Sequence, residues 1–183
     1  MMNTRTQLRT LALATMVALM ATANVVSAAD KSATEQIDDT AITAKVKAAL
    51  IGDKQTKAHN IDVEVYKGRV QLNGFVDSDA ERKQAVIDAR NVKGVIAVDN
   101  NLVIKGADRS AGVAVDDATI AVKVKAALAA DSRTKAHQIN VESSNAVVQL
   151  AGFVNSKADM MAANDVARSV AGVARVDNKL AVK

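Results

Sequence analysis

Val-Gln-Leu-Asn-Gly-Phe-Val at residues 70–76 returns as Val-Gln-Leu-Ala-Gly-Phe-Val at 148–154. In both copies apolar and polar residues alternate up to a glycine, the pattern of a half-buried β-strand that something approaches closely. The flanking sequence repeats in step and without a gap: Asp38 aligns with Asp116, His59 with His137, Gly74 with Gly152 and Gly94 with Gly172. With roughly half the paired positions identical, this is a tandem duplication of one small module. A chain built this way folds as two like domains.

Each module reads as helix–strand–strand–helix–strand. Asp38 and Asp39 stand where an N-cap belongs, and Ile42, Val46, Ala49 and Leu50 then share one helical face, as do Ile120, Val124, Ala127 and Leu128. Ile61, Val63 and Val65 alternate with Asp62, Glu64 and Tyr66. Lys67-Gly68 suits a tight hairpin turn, where glycine accepts a positive φ; Asn145-Ala146 takes that place in the second copy and tolerates it less well. Ser78-Asp79-Ala80-Glu81 has capping-box spacing, and Gly94 and Gly172 stand where the second helices are expected to stop. A third strand reached through a helix runs parallel to the second. The expected class is therefore α+β: two tandem αββαβ domains, each a three-stranded mixed sheet with two helices on one face. The other sheet face, with Gln71, Asn73, Asp99 and Asn101, is mostly polar and expected to meet solvent. Val70, Leu72 and Val76 face the helices, so Phe75, and likewise Phe153, is expected half exposed on that open face unless Gly74 or Gly152 marks a bulge.

The start of the chain is read separately. Arg5 and Arg9 precede an uncharged apolar run at 11–26 and the small residues Ser27, Ala28 and Ala29. This is the form of a secretory signal cleaved near Ala28 or Ala29, and the run is short for a membrane anchor. The expected layout is a signal at 1–29, a polar lead-in at 30–36, domains at 37–105 and 115–183, and a linker at 106–114. Loss of Arg5 and Arg9 takes the formal charge from +4 to +2, too near neutrality for a nucleic-acid binder. The chain has no cysteine, hence no disulfide, no thiolate metal site and no lipid-bearing cysteine at the cleavage point. A soluble periplasmic protein is expected. Small aliphatic domains gain little stability alone, so contact between the copies would help.

The paired units, with Gly94-Val95, Val98 and Asn100 to Leu102 matched by Gly172-Val173, Val176 and Asn178 to Leu180, resemble the BON domain family over nearly all of the mature chain. The resemblance implies the same three-stranded, two-helix fold. It also implies a non-enzymatic role in envelope protection under osmotic stress, through binding of phospholipid surfaces or through chaperone activity, with no catalytic residues and no cofactor.

The residues themselves agree with binding rather than catalysis. His59 and His137, the only histidines, lack a nucleophile or orienting partner nearby and are too few for a metal site; no phosphate-cradling loop or nucleophile elbow is present. Lys45 and Lys47 lie about 100° to either side of Val46, and Lys123 and Lys125 repeat this around Val124. Such lysines suit a helix lying on anionic lipid, and equally a core-packed helix with solvated edges. Ile87, Met161 and Val166 fall outside the expected core and, with Phe75 and Phe153, are candidate contacts for an unfolded client or for the other domain. Gly74, Gly94, Gly152 and Gly172 are read as fold-defining.

Overall fold

A computed structural model describes residues 28–106 and 111–183. The first module comprises α1 (Ala28–Gly52), β1 (Ile61–Tyr66), β2 (Arg69–Val76), α2 (Asp79–Arg90), β3 (Ala97–Asn100) and β4 (Val103–Ile104). The second comprises α3 (Ala111–Ala130), β5 (Asn140–Ser144), β6 (Val147–Val154), α4 (Lys157–Ser169) and β7 (Arg175–Val182). The expected signal lies, up to residue 27, outside the described residues, as do 107–110 of the expected linker.

In each module the first two strands pair antiparallel, Val63 opposite Leu72 and Val141 opposite Leu150. The last strand runs parallel to the middle one. β7 is continuous, whereas its counterpart is broken into β3 and β4, both pairing with β2. Both helices of a module cover one sheet face. Ile42, Val46 and Leu50 of α1 and Ala85 and Ala89 of α2 meet Val63, Val70, Leu72 and Val76 in one core. Ile120, Val124, Leu128, Ala163 and Ala167 do the same over Val141, Val148, Leu150 and Val154. The first helices end on a buried threonine: Thr56 Oγ1 donates to the Leu50 carbonyl and Thr134 Oγ1 to that of Leu128, satisfying acceptors the helix itself leaves open.

Three local expectations are corrected. Asp38 and Asp39 do not cap a helix, because α1 already runs from Ala28. Asp39 instead accepts the N–H groups of Lys67 (2.6 Å) and Gly68 (2.8 Å) in the hairpin turn, and Asp117 those of Asn145 (2.8 Å) and Ala146 (2.9 Å). The serine half of the capping box forms, the Glu81 N–H donating to Ser78 Oγ at 3.1 Å. Glu81, however, reaches past the cap and accepts the N–H groups of Asp77 and Lys57. Gly94 and Gly172 are not helix stops: α2 closes at Arg90 and α4 at Ser169, and the glycines form the next turn, against Ile42 and Ile120.

The hairpin turns share one geometry. Lys67 and Gly68 have φ of 50° and 74°, Asn145 and Ala146 of 52° and 59°, the doubly positive form that matches strand twist. A Cβ on Gly68 would lie 2.9 Å from the Gly94 oxygen and from the Ile96 side chain. Where the first copy has Ile96 the second has Ala174, which leaves room for the methyl of Ala146.

The sheet faces that were expected to meet solvent are instead packed against each other. Gln71, Asn73, Gln149 and Ala151 are 2% exposed or less, and Phe75 and Phe153 are 7% and 6% exposed. Neither half-exposure nor a bulge describes the phenylalanines: the β1–β2 register is unbroken through Gly74 and Phe75 lies outside the helix-side core. The layering is helices, sheet, sheet, helices. Burial of two polar faces is offset here because both glutamines, and Asn140 with Glu64, hydrogen-bond across the contact.

Candidate functional site

The contact between the sheets is nearly two-fold symmetric. Gln149 Oε1 accepts the Gly74 N–H at 2.7 Å, and Gln71 Oε1 accepts the Gly152 N–H at 3.0 Å. Each glutamine amide then donates across the contact, Gln149 to the Asn101 carbonyl in the break between β3 and β4 at 2.7 Å and Gln71 to that of Lys179 in β7 at 3.4 Å. Both glycines have left-handed φ, 117° and 125°. A Cβ there would sit 2.3 Å from the Asn60 oxygen or 2.2 Å from that of Gln138, so only glycine lets the chain entering β1 or β5 come so close. Tyr66, the one tyrosine, packs on Phe153 with ring centroids 5.5 Å apart, and the Lys183 ammonium lies 5.8 Å from its centroid.

The symmetry is broken at Tyr66 and Asn73, where the second copy has Ser144 and Ala151, and at one pair of polar groups. Asn140 Nδ2 donates to Glu64 Oε1 at 2.7 Å. At the equivalent place Asp62 stands for Asn140 and faces Glu142, carboxyl against carboxyl. Burial, then the charge and hydrogen bond of Asp62, push Glu142 up to about 7 against the opposing charge of Lys125. Burial and then Asp62 also raise Glu64, with Lys47 opposing. This cluster was missed in the sequence. The available signal was Gln71, Asp62 and Glu64 sharing a strand face with Phe75, an unusual mixture for solvent.

Of the lysines, Lys47 and Lys125 reach the rim of this cluster from the helices. Lys45, Lys47, Lys123 and Lys125 are all exposed on α1 and α3, on the outer layers. The stripes they flank are fully used: Val46 and Val124 are 0% exposed. On the far side of each helix, between the same lysines, runs a second strip. Ala44, Ala48 and Ile51 line it in α1, and Val122, Ala126 and Ala129 in α3, all exposed, Ile51 at 73% and Val122 at 66%. Beside the helices lie two equivalent clefts of about 560 and 510 Å³. Lys45, Lys67 and Lys93 line the first, together with Ile96, whereas among the described residues Lys123 is the only lysine lining the second.

Of the apolar candidates, Ile87 and Met161 are exposed, at 50% and 66%, on α2 and α4. Val166 is corrected: it is buried at 8%, in the core beneath α4. His59 and His137 are exposed in short 3-10 turns before β1 and β5. Among the described residues no group of three or more His, Cys, Asp or Glu is placed to hold a metal ion, and no helix is long and apolar enough to cross a membrane.

Two mixed sheets, each with two helices on one face and a V-Q-L-x-G-F-V middle strand, define the class, and the chain belongs to the BON domain family, whose model matches residues 38–106 and 116–183. Among particular proteins it is similar to Osmotically-inducible protein Y of Escherichia coli (strain K12), 40% identical over 149 residues, covering 80% of this chain and 74% of that protein. It is also similar to outer membrane lipoprotein DolP of Haemophilus influenzae (strain ATCC 51907 / DSM 11121 / KW20 / Rd), at 34% over 142 residues, covering 77% and 72%. A 21 kDa hemolysin of Actinobacillus pleuropneumoniae is 33% identical over 147 residues, covering 80% and 75%.

Proposed function

We propose that this chain is a non-enzymatic protein of the bacterial envelope, exported to the periplasm, that associates reversibly with anionic phospholipid surfaces through α1 or α3. The observation that carries this reading is the outward strip of Ala44, Ala48 and Ile51, or of Val122, Ala126 and Ala129, with lysines along both margins. A helix of that form sets small apolar side chains into the headgroup boundary while its lysines meet lipid phosphates. The kinship to an osmotically inducible protein and to an outer membrane lipoprotein supports the setting. Because α1 and α3 occupy opposite outer layers, one flat membrane engages one helix at a time.

Flotation with anionic and neutral vesicles tests the reading. Binding to anionic vesicles only, weakened by changing Lys45 and Lys47, or Lys123 and Lys125, to Glu and lost when all four are reversed, is expected. Equal recovery with both vesicle types, or full binding by the protein carrying all four reversals, would reject it. The second reading, a chaperone for unfolded envelope proteins, draws on exposed Ile87 and Met161. Suppression of client aggregation that survives lysine reversal and fails in Met161→Glu would favour it.

A further inference from the structure

We propose that the Asp62–Glu142 contact is a proton-dependent clasp between the two sheets: one shared proton holds the domains docked, and its loss loosens them. Across the near two-fold relation, the Asn140–Glu64 pair joins an amide donor to a carboxylate at 2.7 Å and needs no proton from solvent. By the same two-fold relation Asp62, which stands where Asn140 does, meets Glu142, and two facing carboxyl groups cannot both be ionised without repulsion.

The surroundings leave that repulsion poorly compensated. β6, which pairs with β5, has no charged side chain, and the one charge on β2, Arg69, is held by Asp99 at 2.6 Å. Glu64 adds a third carboxyl beside Asp62. The facing cations are Lys125 of α3, acting on Glu142, and Lys47 of α1, acting on Glu64; both oppose the upward shifts without cancelling them.

The direction with pH follows from linkage. Glu142 titrates at about 7 in the docked form, against an ordinary 4.5. Between those values the docked form binds more protons than the undocked form, so docking weakens as pH rises and levels off above about 7. Glu142 is only part-buried, so solvent screening trims the effect, and about a tenfold fall in the docking constant from pH 5 to pH 8 is expected. Opening would bare Gln71, Gln149, Phe75 and Phe153 together with Tyr66.

Amide hydrogen exchange on the full chain reads the clasp directly, because the acceptors of the Gly74 and Gly152 N–H groups lie across the interface. After correction for intrinsic rates, protection of both amides should fall about tenfold between pH 5 and pH 8, while the Val63 and Val141 amides hold. Asp62→Asn installs the residue type found at the equivalent Asn140 and should remove the pH dependence. Glu142→Gln, which restores a donor from the other side, should do the same and serves if the first variant folds poorly. Unchanged protection of Gly74 and Gly152 across this pH range, or an equal fall in both variants, would overturn the proposal.

Discussion

Gln71 and Gln149 hold each other's domain by the same two bonds. Each side-chain oxygen accepts the N–H of the glycine three residues beyond the other glutamine, at 3.0 and 2.7 Å, and each amide donates to a backbone carbonyl of the opposite domain. The two residues are 2% and 1% exposed, so the interface is polar and dry at its centre.

Replacing Gln149 with Leu should strand the Gly74 N–H in that setting and lower stability by about 1–3 kcal/mol. Denaturant unfolding gives the magnitude. Exchange should quicken at Gly74 more than at Gly152, and Gln71→Leu should reverse that order. Identical exchange at Gly74 in Gln149→Leu and the parent protein would contradict the assignment.

Gly74 and Gly152 are the least substitutable positions in their strands. An added methyl would sit 2.3 or 2.2 Å from a backbone oxygen, at a φ that L residues rarely adopt. Gly74→Ala and Gly152→Ala should each cost about 2–4 kcal/mol, seen as a lower melting temperature. Ala151→Gly next door, where backbone freedom is not required, should cost less.

The hairpin turns invite a reciprocal exchange. Ala146→Gly relieves a non-glycine residue at φ 59° and should stabilise the second domain by about 0.5–1 kcal/mol. Gly68→Ala should destabilise the first by about 1–3 kcal/mol, because the methyl meets Ile96 and the Gly94 oxygen. Adding Ile96→Ala, which copies Ala174, should recover part of that loss in chemical denaturation.

Asp39 and Asp117 each accept two backbone N–H groups of a turn, and Asp117 is the deeper, at 2% exposure. Alanine at either position leaves those donors without the carboxylate. A loss of about 1–2 kcal/mol is expected at Asp39 and about 2–3 kcal/mol at Asp117. A larger loss at Asp39, by the same unfolding measurement, would show that burial does not set the order.

The repeat, the alternation of Ile61, Val63 and Val65 and the helical spacing of Ile42, Val46 and Leu50 made the αββαβ units readable. What escaped the sequence shares one physical origin. Strand alternation shows that Gln71, Phe75, Asp62 and Glu64 lie on one face, but not what covers that face; side chains able to bond a second sheet look the same as side chains bonding water. Asp39 misled for a related reason, since an aspartate ahead of an apolar helical face serves a turn thirty residues away as well as a helix start. The lysines flanking Val46 and Val124 were legible as positions. The apolar strip between them on the outer side, with Ile51 and Val122, emerged only once burial had shown which stripe the core consumed.

The near two-fold match of the sheet faces has a consequence for assembly. A patch that binds a copy of itself is the kind of surface by which separate identical chains form a dimer. Here both copies belong to one polypeptide, so pairing is an intramolecular event at a fixed effective concentration. Dilution into a large compartment therefore leaves the pairing intact, where a two-chain dimer of the same contact would dissociate.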